Sequence, residues 1–267
     1  MTSFFTSALK AGLRSRSFHA VFILGLLLIA AAYLAALFSL RQPETIALDV
    51  GISGMRFSAI LLGLFWVQDL VGKEIDRKTI TLYLAYPIPR YHYVLGRFWA
   101  IAVLLFIACT ILGLLLWLTV ITASHTYEQA HQGSLGIPYW ATIVGLWLDT
   151  VIVMSFSLCI ATLSTTPALP LVLGMAFALA SHGLGTVIDY LTSGAGGQQD
   201  LVAQFGPIVD VIRWVMPDLS RLDWREWPMY GQPPPSGYIE LSVLMGGGYL
   251  ILLLLITFHS FRIRDFD

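Results

Sequence analysis

The stretch 73-KEIDRKTITLYLAYPIPRYHYVLGR-97 contains five of the fifteen Lys and Arg residues in a chain of 267 residues. Apolar sequence lies on both sides of it. The whole chain is 57% hydrophobic and 12% charged, about half the charged fraction of an ordinary soluble domain. A soluble core cannot bury that much apolar surface, so the sequence predicts that lipid surrounds most of the chain. The net charge of -1 also argues against a nucleic-acid partner, which requires a basic face.

Six apolar runs are each long enough to cross a bilayer core as a helix, which takes roughly 20 residues. The predicted spans are residues 20–40, 53–71, 93–122, 138–163, 169–190 and 238–260. A β-barrel would show short alternating segments, whereas these runs are continuous. Lipid offers no partner to an unpaired backbone amide, so helices are the default. The predicted fold class is therefore an all-α integral membrane protein with six transmembrane helices.

The remaining segments divide the chain around these spans. In residues 1–19, Phe5, Leu9 and Leu13 recur at four-residue steps, which predicts an amphipathic lead helix on the membrane surface. An apolar stripe between Pro207 and Pro217 predicts a helix in the outer loop. The predicted organisation is the lead helix 1–19, helices 1 and 2 in 20–71, a charged segment 72–92, helices 3 to 5 in 93–190, the outer loop 191–237, helix 6 in 238–260 and a tail 261–267.

The positions of Lys and Arg predict the orientation of the chain. Ten of the fifteen lie in three regions, namely the N-terminus, residues 72–97 and the C-terminus. With six spans these regions fall on the same side of the membrane. The positive-inside rule therefore places both termini and the charged segment in the cytoplasm.

The charged segment is longer than a connection between two antiparallel helices requires. Ile80, Leu82 and Leu84 alternate with polar residues as in a strand, but a lone strand would leave its edges unpaired, so a helix is favoured. Pro87 ends that helix. The result is a cytoplasmic protrusion with one charged and one apolar side, and such an apolar ridge usually binds another protein. The alternative is a solvated loop whose charge only sets the topology.

This segment resembles the one that follows the second span in permeases of type-2 ATP-binding-cassette (ABC) exporters. The residues that carry the resemblance are Glu74, Arg77-Lys78-Thr79, Leu82–Leu84, Pro87-Ile88-Pro89-Arg90, Tyr93 and Gly96-Arg97. The resemblance extends over the whole chain, since such permeases also have six spans, a lead helix and a short basic tail. Residues 217–220 and 262–266 are similar to those of the subgroup named for multicopper-enzyme maturation. One departure is Lys78, where many members have Gly.

The resemblance implies that the charged segment contains a coupling helix, which sits in a cleft of a separate ABC ATPase subunit. The residues that it assigns to this coupling contact are Glu74, Asp76, Arg77, Lys78, Thr79, Leu82, Tyr83, Pro87 and Arg90. It further implies two permeases, either two copies or this chain with a similar one, and two ATPases. ATP and Mg would be bound by the ATPases, with no cofactor in this chain. The location implied is the inner (cytoplasmic) membrane of a bacterial or archaeal cell, and the direction implied is export.

The chain carries no catalytic motif, which indicates a transport subunit rather than an enzyme. Its only Gly-Lys pair, Gly72-Lys73, is followed by Glu74 and does not form a phosphate-binding loop. Gly51–Gly54 is not a nucleophile elbow, and the histidines do not pair at one depth as haem ligands would. No metal site is predicted. A membrane scaffold that recruits a cytoplasmic partner through residues 73–90 without transport remains the alternative.

Two polar residues lie well inside the predicted spans, where an ionised group is costly. Asp149 lies midway along the fourth span, and His182 in the middle of the fifth. Either they contact cargo in a translocation path or they are hydrogen-bonded structural residues. Arg56 lies near the start of its predicted span and is expected to extend to the interface. Residues 246–248, three consecutive glycines, predict close helix packing.

Overall fold

The computed structural model describes residues 2–39, 41–77, 79, 89–123, 133–164, 166–192 and 216–264. Every regular element in these ranges is a helix, which confirms the predicted all-α class. The α-helices are α1 (Thr2–Arg14), α2 (Arg16–Phe38), α3 (Pro43–Val67), α4 (Arg90–Ala123), α5 (Ile137–Leu163), α6 (Leu169–Thr192), α7 (Glu226–Tyr230) and α8 (Tyr238–Ile263).

Among the described residues, five helices are long and apolar enough to cross a membrane, namely α2, α3, α4, α5 and α8. The helix α6 contains a shorter apolar stretch, Leu169–Gly185. This confirms a multi-pass membrane protein with about six spans. The helix α3 is longer than one span, because it continues through a π-helical turn, Gln68–Gly72, into a final α-helical turn, Lys73–Asp76.

The second span begins ten residues earlier than predicted, at Pro43 rather than at residue 53. Proline suits the first turn of a helix because its missing N–H would have no partner there, and Glu44 in the same turn complements the helix dipole. Arg56 therefore lies thirteen residues into α3, about 20 Å along its axis. The helix thus begins thirteen residues before Arg56, whereas the predicted span began three residues before it.

The helices α3 and α5 form the centre of the bundle, while α2 and α8 lie at its edge with most of their surface exposed. On α3, Leu48, Ile52 and Met55 are fully buried. The lead helix α1 buries Phe4 and Ala8, and it packs against α4. Its opposite side exposes basic residues, as an amphipathic helix requires.

The two ends of the bundle differ in character. The basic end contains α1, the Lys73–Asp76 turn and the end of α8. The loop end contains residues 216–237, which form a 3₁₀ turn, Leu219–Leu222, followed by α7. The helix predicted between Pro207 and Pro217 lies mostly outside the described residues.

The loop packs directly on α5 because that helix has a glycine at the contact. A Cβ atom on Gly145 would lie only 2.6 Å from the backbone oxygen of Leu222.

The three consecutive glycines of residues 246–248, which were predicted to allow close helix packing, differ in how close their neighbours are. A Cβ on Gly246 would lie 3.0 Å from Ile152, whereas Gly247 and Gly248 have no heavy atom within 4 Å of that position.

We expect Gly145→Ala to destabilise the contact between the loop and α5, because the methyl group would clash with a backbone carbonyl that cannot rotate away. The expected loss is about 1–3 kcal/mol, typical of overpacking, measured by thermal unfolding in detergent. Gly247→Ala is the matched control, since its methyl group meets open space. Equal melting temperatures for the two variants would show that the loop does not pack as described.

Candidate functional site

Two clusters of charged side chains contact the long helix that runs from α3 to the turn Lys73–Asp76. The first, called the Glu74 link, joins Glu74 to Tyr93 and Arg97 at the basic end. The second, called the ionic network, joins residues of α3, α5, α6 and the loop. Its members are Asp49, Arg56, Asp149, His182, Asp223 and Arg225.

In the Glu74 link, one carboxylate binds two side chains of α4. Oε1 of Glu74 accepts a hydrogen bond from Nη2 of Arg97, and Oε2 accepts one from the Tyr93 hydroxyl at 2.6 Å. Arg97 is only 2% exposed, and its guanidinium lies 5.4 Å from the centre of the Tyr93 ring. Tyr93 in turn stacks on Phe261 of α8 and makes an edge contact with Phe4 of α1. The link therefore fastens the end of α3 to three other helices.

The structure separates the predicted coupling residues into two groups. Glu74 points inward, whereas Asp76, Arg77 and Thr79 are exposed. The Thr79 hydroxyl donates a hydrogen bond to the backbone oxygen of Glu74 at 3.2 Å. The remaining predicted residues of the charged segment, Lys78, Leu82, Tyr83 and Pro87, lie outside the described residues.

Arg90 binds the end of α8. Its Nη1 donates hydrogen bonds to the backbone oxygens of Arg262 and Arg264, at 3.2 and 3.1 Å. Carbonyl groups at the end of a helix have no partner within the helix, and an arginine there also complements the helix dipole. The structure therefore gives Arg90 a capping role within this chain itself.

The ionic network brings together the two polar residues predicted inside the spans. Nε2 of His182 lies 2.9 Å from Oδ2 of Asp149, and Nδ1 of His182 lies 2.8 Å from the backbone oxygen of Ala178. A carbonyl can only accept, so Nδ1 carries a hydrogen atom. The contact with Asp149 then contains one further proton, carried by either the imidazole or the carboxyl group.

Arg56 connects this pair to the loop. Its Nε lies 3.6 Å from Oδ2 of Asp149, and its Nη1 lies 2.8 Å from Oδ2 of Asp223. Asp223 also pairs with Arg225 through Nε, at 2.8 Å. Arg225 reaches back to α3, where its Nη1 donates to Oδ1 of Asp49 at 2.8 Å and to the Ser53 hydroxyl at 2.7 Å.

Pairing explains how so many charges are tolerated in this part of the bundle. Asp149 is 1% exposed, and an isolated buried carboxylate costs several kcal/mol. Burial acts to raise the pKa of Asp223, but the hydrogen bonds and positive charges of Arg56 and Arg225 outweigh it, so its pKa is lowered. Burial acts to lower the pKa of Arg225, but the hydrogen bonds and negative charges of Asp223 and Asp49 outweigh it, so its pKa is raised. These shifts stabilise the ionised forms.

Sequence reasoning missed four members of the network. Arg56 was assigned to a span end because the start of α3 was placed too late. Asp49 and Arg56 are seven residues apart, two helical turns, so recognition of Pro43 as the helix start would have put them on one face. Asp223 and Arg225 lie in a loop, where no periodic pattern marks a residue that folds back onto the helices.

The described residues thus form a multi-pass helical bundle with charged groups paired between its helices and the loop. The family model for ABC-2 family transporter proteins matches residues 7–266, nearly the whole chain. The chain therefore belongs to this family and is a permease of the type-2 ABC class. A comparison with curated protein sequences gives no significant match.

We expect Asp223→Asn to destabilise the protein at neutral pH by about 3 kcal/mol, because two arginines lose their shared carboxylate. Since the pKa of Asp223 is lowered in the folded protein, its stabilising effect is present above the ordinary carboxyl pKa of 3.8 and is lost as the pH falls through the lower folded value. The difference between the two proteins should therefore be largest at neutral pH and should close in acid.

The measurement is thermal unfolding in detergent over a pH series. Asp76→Asn is the control, since Asp76 is an exposed carboxylate on the Lys73–Asp76 turn. A difference in stability that stays constant down to the acid end of the series would contradict the assignment.

Proposed function

We propose that this permease forms the translocation path of an exporter and couples it to ATP hydrolysis on a separate ATPase subunit. Family membership supports the general class of ABC-transporter permease. The Glu74 link is the observation that carries the coupling part of the proposal. It holds the first turn of the charged segment against α4, while Asp76, Arg77 and Thr79 remain exposed beside it.

In the proposed mechanism, the exposed residues contact the ATPase and the inward residue transmits its movement. When two ATPases close on ATP and Mg, they displace the charged segment. A flexible attachment would absorb that displacement. Glu74 instead ties the segment to Arg97, which is buried, so the displacement reaches α4 and, through Tyr93, the ends of α1 and α8.

The proposed path lies where the ionic network meets α6. Asp149 and His182 join α5 to α6 there, and Arg56 brings in α3. A change in the packing of these helices must rearrange charged contacts, which gives discrete alternatives rather than a continuous deformation. A second permease, identical or similar, would complete the path. Both termini and the ATPases would lie on the cytoplasmic side of the inner membrane.

The test is co-purification of the permease with the ATPase from its own gene neighbourhood, followed by ATPase assays of the complex in lipid nanodiscs. Arg77→Glu combined with Thr79→Arg changes the exposed surface, and we expect it to reduce the bound ATPase about tenfold or more. Such a loss corresponds to roughly 1.4 kcal/mol of binding free energy. Glu74→Gln should leave the ATPase bound but weaken the dependence of hydrolysis on the permease, because the internal link is lost.

Arg14→Glu is the matched control, since it reverses an exposed charge at the same end of the bundle on α1. Undiminished co-purification of the double variant would refute the assigned contact surface. If the ATPase binds but its hydrolysis never depends on the permease, the chain is a scaffold and not a coupled transporter.

A further inference from the structure

A groove of about 270 Å³ lies between α3 and α6, beside the ionic network. Its polar end is formed by Ser53, Arg56, His182 and Arg225. All four side chains carry hydrogen-bond donors. The three carboxylates of the network are not among the residues that line the groove, and Asp149 is only 1% exposed. The groove therefore presents the positive side of a paired cluster.

Some N–H donors of Arg56 and Arg225 make no hydrogen bond within the network. Arg56 binds Asp223 through Nη1, and Arg225 binds its partners through Nε and Nη1. Among the described residues, none accepts a hydrogen bond from Nη2 of either guanidinium. Nε of Arg56 is buried and lies 3.6 Å from Oδ2 of Asp149, so it does not face the groove and is not one of these donors. Guanidinium groups bind carboxylates and phosphates through paired N–H donors, so these free donors suit an acidic group.

The other end of the groove is apolar, with walls formed by Phe57 and Ile60 from α3 and Met175 and Leu179 from α6. Ile60 lies one turn further from the loop end than Arg56, about 6 Å. Met175 lies seven residues beyond His182 in the same direction, about 10 Å. Polarity therefore changes along the groove from charged near the loop end to apolar near the middle of the bundle. A lipid whose head group points toward the loop end also changes from charged to apolar in this direction.

We propose that this groove binds an amphipathic anion, with its acidic head on Arg56 and Arg225 and its apolar chain between Phe57 and Leu179. The volume is slightly below the usual range for small-molecule sites, about 300–1,000 Å³. It holds the head and the first part of a chain, and the remainder extends into the surrounding lipid. A cationic head would instead meet two guanidinium groups and is excluded by charge.

This assignment deepens the proposed function, because it gives a chemical class to the molecule that the path receives. The role of the bound anion in transport rests on the proposed path, but the binding site itself does not. Binding itself needs neither the ATPase nor ATP. A measurement on the isolated permease therefore distinguishes a missing binding site from a failure of coupling.

The experiment measures binding of radiolabelled oleate to the full-length chain in nanodiscs of neutral phosphatidylcholine. We expect saturable binding that unlabelled oleate and lysophosphatidate both displace, since each has an acidic head and a single chain. Oleyl alcohol and oleylamine, which have the same chain with a neutral or a cationic head, should displace it at least about tenfold less well, the loss of one charge-assisted interaction. Inorganic phosphate, a head without a chain, should not displace it.

Two variants test the location. Leu179→Trp enlarges an apolar side chain on the wall of the groove and replaces no charged residue, and Arg225→Gln removes one guanidinium. Arg225→Gln should weaken oleate binding about tenfold or more, the size expected for one lost charge-assisted contact. Leu179→Trp should weaken it by about the same factor, because the larger side chain takes space from the oleate chain, as in overpacking. Leu255→Trp is the control, because Leu255 is 59% exposed on α8 and lies away from the groove.

Two results would overturn the assignment. One is displacement by oleyl alcohol as strong as by oleate, which would show that only the chain is recognised. The other is wild-type affinity in Leu179→Trp, which keeps the ionic network intact and so remains informative even if Arg225→Gln fails to fold.

Discussion

The ion pairs that Arg56 makes with Asp149 and Asp223 are the interaction on which the rest of the structure depends. A guanidinium in the middle of a membrane helix is costly unless carboxylates surround it. Satisfying it requires α5 to approach α3 with Asp149 facing inward, and it requires the loop to fold back so that Asp223 reaches the same position. Arg225 then closes the arrangement by pairing with both Asp223 and α3. One largely buried charge thus links two helices and a loop.

The long helix that runs from α3 to the turn Lys73–Asp76 is held at two points by charged contacts of this kind. Arg56 and Glu74 are eighteen residues apart, about 27 Å along a continuous helix. Between them lies the π-helical turn Gln68–Gly72, an irregularity frequently found at functional sites. The contact proposed for the ATPase and the network proposed for the path are therefore joined by a single element. A displacement of the charged segment acts on α3 and α4 together, because the Glu74 link binds one to the other.

The sequence was sufficient for the fold class and for about six spans, because continuous apolar runs are a direct consequence of the bilayer. The resemblance of residues 73–97 was sufficient for the family. The sequence also selected Asp149 and His182, since an ionisable residue in an apolar run is conspicuous. It did not reveal their partners. Arg56 lies in a weakly apolar region where the start of α3 was misplaced, and Asp223 becomes a partner only through the fold of the loop. The resemblance assigned Glu74 to the coupling contact, but its inward direction depends on Arg97, twenty-three residues away, which periodicity cannot indicate.

The most direct test of the central claim is a double-mutant cycle on Arg56 and Asp223. Unfolding free energies are measured in mixed detergent for the wild type, Arg56→Gln, Asp223→Asn and the double variant. If the pair fixes the loop to α3, the two substitutions should be non-additive, with a coupling energy of about 1.5 kcal/mol or more. Additivity to within about 0.5 kcal/mol would mean that the two residues act independently, and it would contradict the account given above.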